Sequence, residues 1–169
     1  MECKHLSYLL KMEMIKKSIL QKKDVILRNW IQSIFDTYPV ETSSFLGEQK
    51  NQFSNPVGHI ISDAAKNIFE SILNGNQDLE IKIFLNDIIK VRAVQNFLPS
   101  EAAGFILSLK NIIREELSQE IREEIHFNEF WKIGIEIDKV ALIAFDLFME
   151  AREKIFQLRI NEIKNSIQT

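Results

Sequence analysis

The chain has 169 residues, of which 46% are hydrophobic and 27% are charged, with a formal net charge of −3. These values are typical of a globular protein with enough residues for one hydrophobic core, so we predict a single domain over residues 1–169. The slightly acidic balance argues against nucleic-acid binding and against electrostatic attachment to an anionic membrane.

Helical spacing of apolar residues dominates the sequence and predicts an all-α fold. A first segment, about residues 7–35, has apolar residues at near-helical intervals: Ile15, Ile19, Ile26, Trp30 and Phe35. Its stripe is interrupted at "QKKD", so the segment is either one bent helix or two. It ends before Pro39, because the residue preceding a proline is disfavoured in a helix. The polar stretch after Pro39 predicts a loop with room for one short helix.

Three further helices have local start or stop signals. Asn55 is the expected cap of a helix with Pro56 at its first position, and Gly75 is the expected end. Another helix is predicted over about residues 79–97. The segment "PSE" then breaks and restarts the chain, with Ser100 as the expected helix cap and Glu101 near the positive end of the helix dipole.

The last predicted helix is the longest. Asn128 is its expected cap, and its apolar pattern continues from Phe130 towards Ile163. About 35 residues at ~1.5 Å each give a length of roughly 50 Å, more than a small domain needs. The excess length predicts an interface, either a homodimer contact through this C-terminal helix or a docking site for a signalling partner. The alternative is a free, solvated helix end.

Polar side chains interrupt two of the apolar faces. Arg92 and Gln95 follow Ile88 by four and seven residues, so the three share one face of the predicted helix. A buried guanidinium needs a partner, and Asp138 lies within the apolar stripe of the long helix. Either Arg92 and Asp138 form a buried pair while Gln95 bonds to a neighbouring helix end, or these residues line a polar pocket. Such a pocket would bind a small ligand or a partner's carboxylate.

Few other groups suggest chemistry. His59 lies in the first turn of the Asn55-capped helix, where it either assists anion binding or has no special role. Glu123 and His126 form one E-x-x-H pair, whereas carboxylate-bridged two-metal bundles use two such pairs, so no metal site is predicted. The sequence contains no nucleophile–base motif and no phosphate-binding Gly loop. We therefore expect neither enzymatic activity nor a cofactor.

Cysteine usage and hydropathy bear on the compartment. Cys3 is the only cysteine, so the chain can form neither an internal disulfide nor a thiolate metal site, which suits a reducing compartment. The most conspicuous apolar run, residues 140–145, is far too short to span a membrane. The N-terminal "MECKHLSYLL" lacks the features of a secretory signal. We expect a cytoplasmic protein that does not insert into membranes.

Five stretches spread over most of the chain resemble one known family, the N-terminal domain of RsbRD-type RsbT co-antagonist proteins. They are "NWIQSIFDTYP" from Asn29, "FSNPVG" from Phe53, "VRAVQNFLPSEAAGF" from Val91, "LKNIIREEL" from Leu109 and "IDKVALIAFDLFMEAREKIFQLRINEIK" from Ile137. The resemblance implies a globin-like sensory domain that is typically dimeric. In stress-signalling relatives this domain projects from a large assembly, lacks haem, and passes a signal to a C-terminal STAS domain that controls a kinase.

The resemblance also refines the expected function. A haem globin needs a histidine ligand from the helix that precedes the last two, and the predicted helix over residues 79–97 contains none. No STAS domain appears in these 169 residues, which implies a free-standing sensory domain or adaptor. We therefore expect a haem-free, non-catalytic signalling module. The alternative is a carrier or sensor that binds haem or a lipid in a globin-type cavity.

Overall fold

The structure, a computed structural model, describes residues 14–48, 53–75, 78–95, 97–122 and 124–167. Within these residues it contains seven α-helices, one short 3-10 helix and no strand, which confirms the predicted all-α fold with a long C-terminal helix. The α-helices are α1 Met14–Gln21, α2 Lys23–Phe35, α3 Val40–Glu48, α4 Pro56–Asn74, α5 Asp78–Val94, α6 Pro99–Glu116 and α7 Glu124–Ile167, with the 3-10 helix at Glu120–Arg122.

Several helix boundaries lie where local sequence signals place them. The break at "QKKD" separates α1 from α2, so the first segment is two helices. Asn55 caps α4 by accepting a hydrogen bond from the Gly58 amide at 2.9 Å. A Cβ at position 58 would lie 2.3 Å from Asn55 Nδ2, so the cap requires glycine there. Gly75 ends α4 with a φ of 65°, a left-handed conformation that glycine adopts without strain.

Two predicted caps are wrong. Helix α6 begins at Pro99 with Leu98 as the preceding cap residue, so Ser100 already lies inside the first turn. Glu101 closes that helix start, because its Oε2 accepts a hydrogen bond from the Leu98 amide at 2.9 Å. Asn128 likewise lies inside α7, which begins at Glu124. With Asn128 as its cap, α7 would begin at residue 129, so this helix starts five residues earlier than the sequence predicts.

The core forms where α7 packs along α5 and α6 and where α2 crosses α6 and α4. Its largest fully buried apolar side chains include Trp30, Phe69 and Phe148. Trp30 joins α2 to α6, because its ring stacks on Phe105 and its Nε1 donates a hydrogen bond to the Phe105 carbonyl at 2.8 Å. Trp30 therefore fixes the contact between α2 and α6 within the core.

Helix α7 extends past the rest of the bundle. Its 44 residues correspond to about 66 Å of helix. From Phe156 onwards its described side chains are exposed, apart from the partly exposed Ile160. No helix in the described part of the chain combines the length and apolar content needed to cross a membrane.

Candidate functional site

The most unusual buried group of the protein is the guanidinium of Arg92. Arg92 lies in the last turn of α5 and is 0% exposed. Its Nη1 donates to the Glu101 carbonyl at 3.0 Å, and its Nη2 donates to the Thr37 hydroxyl at 2.8 Å and to the Ile34 carbonyl at 3.4 Å. A single side chain therefore joins the end of α5 to the end of α2 and to the first turn of α6.

Three aromatic rings surround the same guanidinium. Its Cζ lies 4.7 Å from the ring centre of Phe97, 4.8 Å from that of Phe105 and 5.5 Å from that of Tyr38. Tyr38 and Phe97 also contact each other edge-on at 5.2 Å. Ring faces attract a cation electrostatically, and more strongly where water is excluded. We call Arg92, Thr37, Tyr38, Phe97 and Phe105 the Arg92 cluster.

The predicted pair between Arg92 and Asp138 is wrong. Asp138 bonds instead to Lys110 of α6, whose Nζ lies 2.8 and 2.9 Å from the two carboxylate oxygens. Half of the Asp138 side chain is exposed, and its carboxylate contacts α6 rather than Arg92. Among the described residues, no acidic side chain bonds to Arg92, so its charge is held by neutral oxygens and rings.

Burial changes the acid–base properties of this cluster. Desolvation lowers the pKa of Arg92, and its neighbours Tyr38 and Glu101 partly oppose that change. Desolvation raises the pKa of Tyr38, and the nearby Arg92 charge partly offsets the rise. The negative end of the α2 dipole, represented by the Ile34 carbonyl, adds a favourable field for the cation. The guanidinium thus bonds to neutral oxygens, and the Glu101 carboxylate adds a Coulombic attraction without bonding to it.

Three polar atoms of this region are buried without a hydrogen-bond partner in the described structure. They are Arg92 Nε, Gln95 Oε1 and the Tyr38 hydroxyl. Gln95 follows the last turn of α5, and its side-chain oxygen does not make the predicted bond to a neighbouring helix end. Buried polar atoms are normally paired, so each of these lowers the stability of the packed state.

The cluster is also connected to the long helix. Arg152 of α7 donates from Nη1 to the carbonyl of Ala93 at 3.2 Å, and Ala93 directly follows Arg92. Ala93 is itself buried between the two helices. This bond therefore links the end of α5 to α7 close to the point where α7 leaves the bundle.

The structure brings only two of the predicted site residues together, Arg92 and Gln95. Asp138 lies on the α6–α7 surface, and His59 lies in the first turn of α4 with its Nε2 3.7 Å from the Asp63 carboxylate. Cys3 and Glu123 lie outside the described residues. Within the described part, no group of three or more His, Cys, Asp or Glu side chains could hold a metal ion.

Sequence reasoning missed the groups that hold Arg92. Two of its three hydrogen-bond acceptors are backbone carbonyls, which have no sequence signature. The third, Thr37, belongs to "DTYP", where the proline marked only a helix end. The aromatic residues beside the two prolines, Tyr38 and Phe97, were the available signal, since rings near a chain break can cover a buried cation.

The same chain segments carry the similarity to known proteins. Residues 24–163 match the RsbT co-antagonist protein rsbRD N-terminal domain. The chain belongs to this family. The rsbRD N-terminal match includes the whole Arg92 cluster and most of α7. The chain is also similar to an uncharacterised protein of Archaeoglobus fulgidus, with 26% identity over 138 residues that cover 79% of each chain. No solved structure matches significantly, and the globin-like arrangement stays a prediction.

Proposed function

We propose that this rsbRD N-terminal family member is a non-catalytic, cytoplasmic signalling module that acts as a homodimer and passes a signal to a protein partner through α7. Membership of the family supports a sensory role. The observation that carries the dimer is a row of exposed apolar side chains along α7. We call this row, Ile135, Leu142, Met149, Phe156 and Ile163, the α7 seam.

The α7 seam repeats every seven residues over most of the helix. Its five side chains are between 41 and 68% exposed, although all are large and apolar. An apolar residue at every seventh position keeps one line of a helix facing a partner when two helices wrap around each other. Isolated exposed apolar residues are common on protein surfaces, but a continuous line of them marks an interaction site.

Helix α6 widens this surface beside the α7 seam. Ala103, Gly104 and Leu107 of α6 face Leu142 and Phe145 of α7 across a mostly apolar groove of about 460 Å³, which Ser100 and Asp138 also line. In a two-fold dimer the same surface serves both subunits, so the α6–α7 pair of one copy packs on that of the other. The product is a four-helix bundle with the apolar groove at its centre.

The Arg92 cluster supplies a connection between the domain interior and this surface. It joins α2, α5 and α6, and the neighbouring bond from Arg152 reaches α7. Buried polar atoms without partners lower the stability of the packed arrangement. In the proposed function the Arg92 cluster senses helix displacement, and α7 transmits the displacement to the dimer interface and to a partner.

Sedimentation equilibrium of the wild-type chain and of Leu142→Glu tests the dimer. We expect a wild-type dimer that the variant weakens by about 100-fold or more, because the variant buries a carboxylate in an apolar contact. Val40→Glu, at an exposed position on α3, is the matched control and leaves the dimer intact. A wild-type monomer at every soluble concentration, or a Leu142→Glu protein that dimerises as tightly as wild type, would overturn the proposal.

A further inference from the structure

A cleft on a different side of α2 from Arg92 has the composition of a small-molecule site. Its volume is about 490 Å³, within the range of ligand pockets. Leu27, Ile31 and Phe35 from one face of α2, together with Leu46 of α3, form an apolar floor. The first turn of α4, including His59, closes the far side. No function proposed above uses this cleft.

Two opposite charges stand on the rim of this cleft. Asp24 and Arg28 are four residues apart on α2 and both are exposed. Oppositely charged side chains at this spacing commonly pair across one helical turn. In the described structure, however, neither the Asp24 carboxylate nor the Arg28 guanidinium makes a hydrogen bond or an ion pair. The rim therefore offers one free anionic and one free cationic group beside an apolar surface.

We infer that the cleft binds an α-amino acid with an apolar side chain. The ligand carboxylate would pair with Arg28, whose planar guanidinium matches a carboxylate with two parallel hydrogen bonds. The ligand ammonium would pair with Asp24, and the ligand side chain would cover Leu27, Ile31 and Phe35. A simple anion would be attracted by Arg28 but repelled by the Asp24 carboxylate. A simple cation would be attracted by Asp24 but repelled by Arg28.

The position of the cleft connects it to the Arg92 cluster. Phe35 lies on the cleft floor, and its neighbours Ile34 and Thr37 accept hydrogen bonds from Arg92. A ligand that presses on the last turn of α2 thus acts on the groups that hold the buried guanidinium. A role for this ligand as the signal rests on the proposed function. Binding of the ligand in the cleft does not depend on that function.

Binding is tested by amide-resolved NMR titration of the full chain with L-phenylalanine. Two further probes have the same ring but lack one charge: 3-phenylpropanoate has no ammonium, and 2-phenylethylammonium has no carboxylate. We expect amide shifts in α2 between Asp24 and Phe35 and in the first turn of α4. Phenylalanine is expected to bind roughly 10- to 100-fold more tightly than either analogue, the range for one charged hydrogen-bonding contact.

Charge-removing variants assign the contacts. Asp24→Asn should abolish the preference for phenylalanine over 3-phenylpropanoate, and Arg28→Gln should abolish its preference over 2-phenylethylammonium. Arg114→Gln removes an exposed arginine from α6 and changes the net charge as Arg28→Gln does. This control variant should bind all three probes as wild type does. No shifts in the cleft at millimolar phenylalanine, or equal affinities for the three probes, would overturn the inference. Either result would leave the dimer test unaffected.

Discussion

Replacing Arg92 distinguishes a charge held by neutral groups from a buried ion pair. In Arg92→Ala, a fully buried side chain is removed from between three rings, which leaves a cavity and removes the hydrogen bonds from Arg92 to Thr37 and Glu101. Large-to-small substitutions at buried sites cost about 2–5 kcal/mol, and a lost hydrogen bond adds about 1 kcal/mol. We expect Arg92→Ala to lower the free energy of unfolding by about 3–5 kcal/mol.

Arg92→Met is the informative comparison. Methionine fills much of the space, keeps the contacts with the rings and removes the desolvation cost of the charge. Because no carboxylate bonds to Arg92 in the described structure, no anion is left unpaired, and we expect a loss of about 1–2 kcal/mol. If Arg92 instead balanced a buried carboxylate, the methionine variant would cost about as much as breaking a buried pair, roughly 3–5 kcal/mol.

Urea unfolding followed by circular dichroism measures both variants. The midpoint and the slope are compared at one fixed protein concentration, because dimerisation would make apparent stability depend on concentration. Equal losses for Arg92→Met and Arg92→Ala would refute the view that neutral groups hold this charge. A loss below about 1 kcal/mol for Arg92→Ala would refute its tight burial.

Two further substitutions test the surface electrostatics. Asp138→Asn should cost less than about 1 kcal/mol in urea unfolding, because the Lys110–Asp138 pair is half-exposed; a loss of 3 kcal/mol or more would restore a buried role for Asp138. The hydrogen bond from Lys23 lowers the pKa of Glu70 below its ordinary 4.5, so Glu70 contributes stability above its unfolded pKa that disappears as the pH falls through the lower folded value. Glu70→Gln should therefore destabilise the protein near neutral pH and have little effect well below about pH 4, and a pH-independent difference in unfolding free energy would contradict this assignment.

Helix boundaries were predictable where a local conformation needs one residue type. Asn55 before Pro56 and Gly75 after α4 gave correct boundaries, because a side-chain cap and a left-handed φ are both local requirements. The predicted caps at Ser100 and Asn128 were wrong because the position of a helix start is not fixed by the capping residue type alone. Each residue type commonly caps helices, but α6 begins at Pro99 and α7 begins at Glu124, so neither residue precedes its helix.

The candidate site was predictable in part. Spacing alone placed Arg92 and Gln95 on an inward face, and Arg92 is indeed buried. The hydrogen-bond partners of Arg92 were not predictable, because a buried cation suggests a carboxylate partner and Asp138 was the available candidate. The actual acceptors are carbonyls exposed by the end of α2 and the start of α6, and only the packing of those helix ends shows that they converge on one guanidinium.

Helix α7 has one buried apolar face and one exposed apolar face. One face completes the core with Ile137, Ala144 and Phe148, and the other face carries the α7 seam. Because both lie on one unbroken helix, a shift imposed on the core face moves the seam with it. In the proposed function, such a shift enters from the Arg92 cluster through the bond from Arg152 to Ala93, and Ile167 lies about 22 Å further along the same helix. In the proposed dimer, two such helices would transmit a rearrangement at the end of α5 to their exposed C-terminal turns without any change in secondary structure.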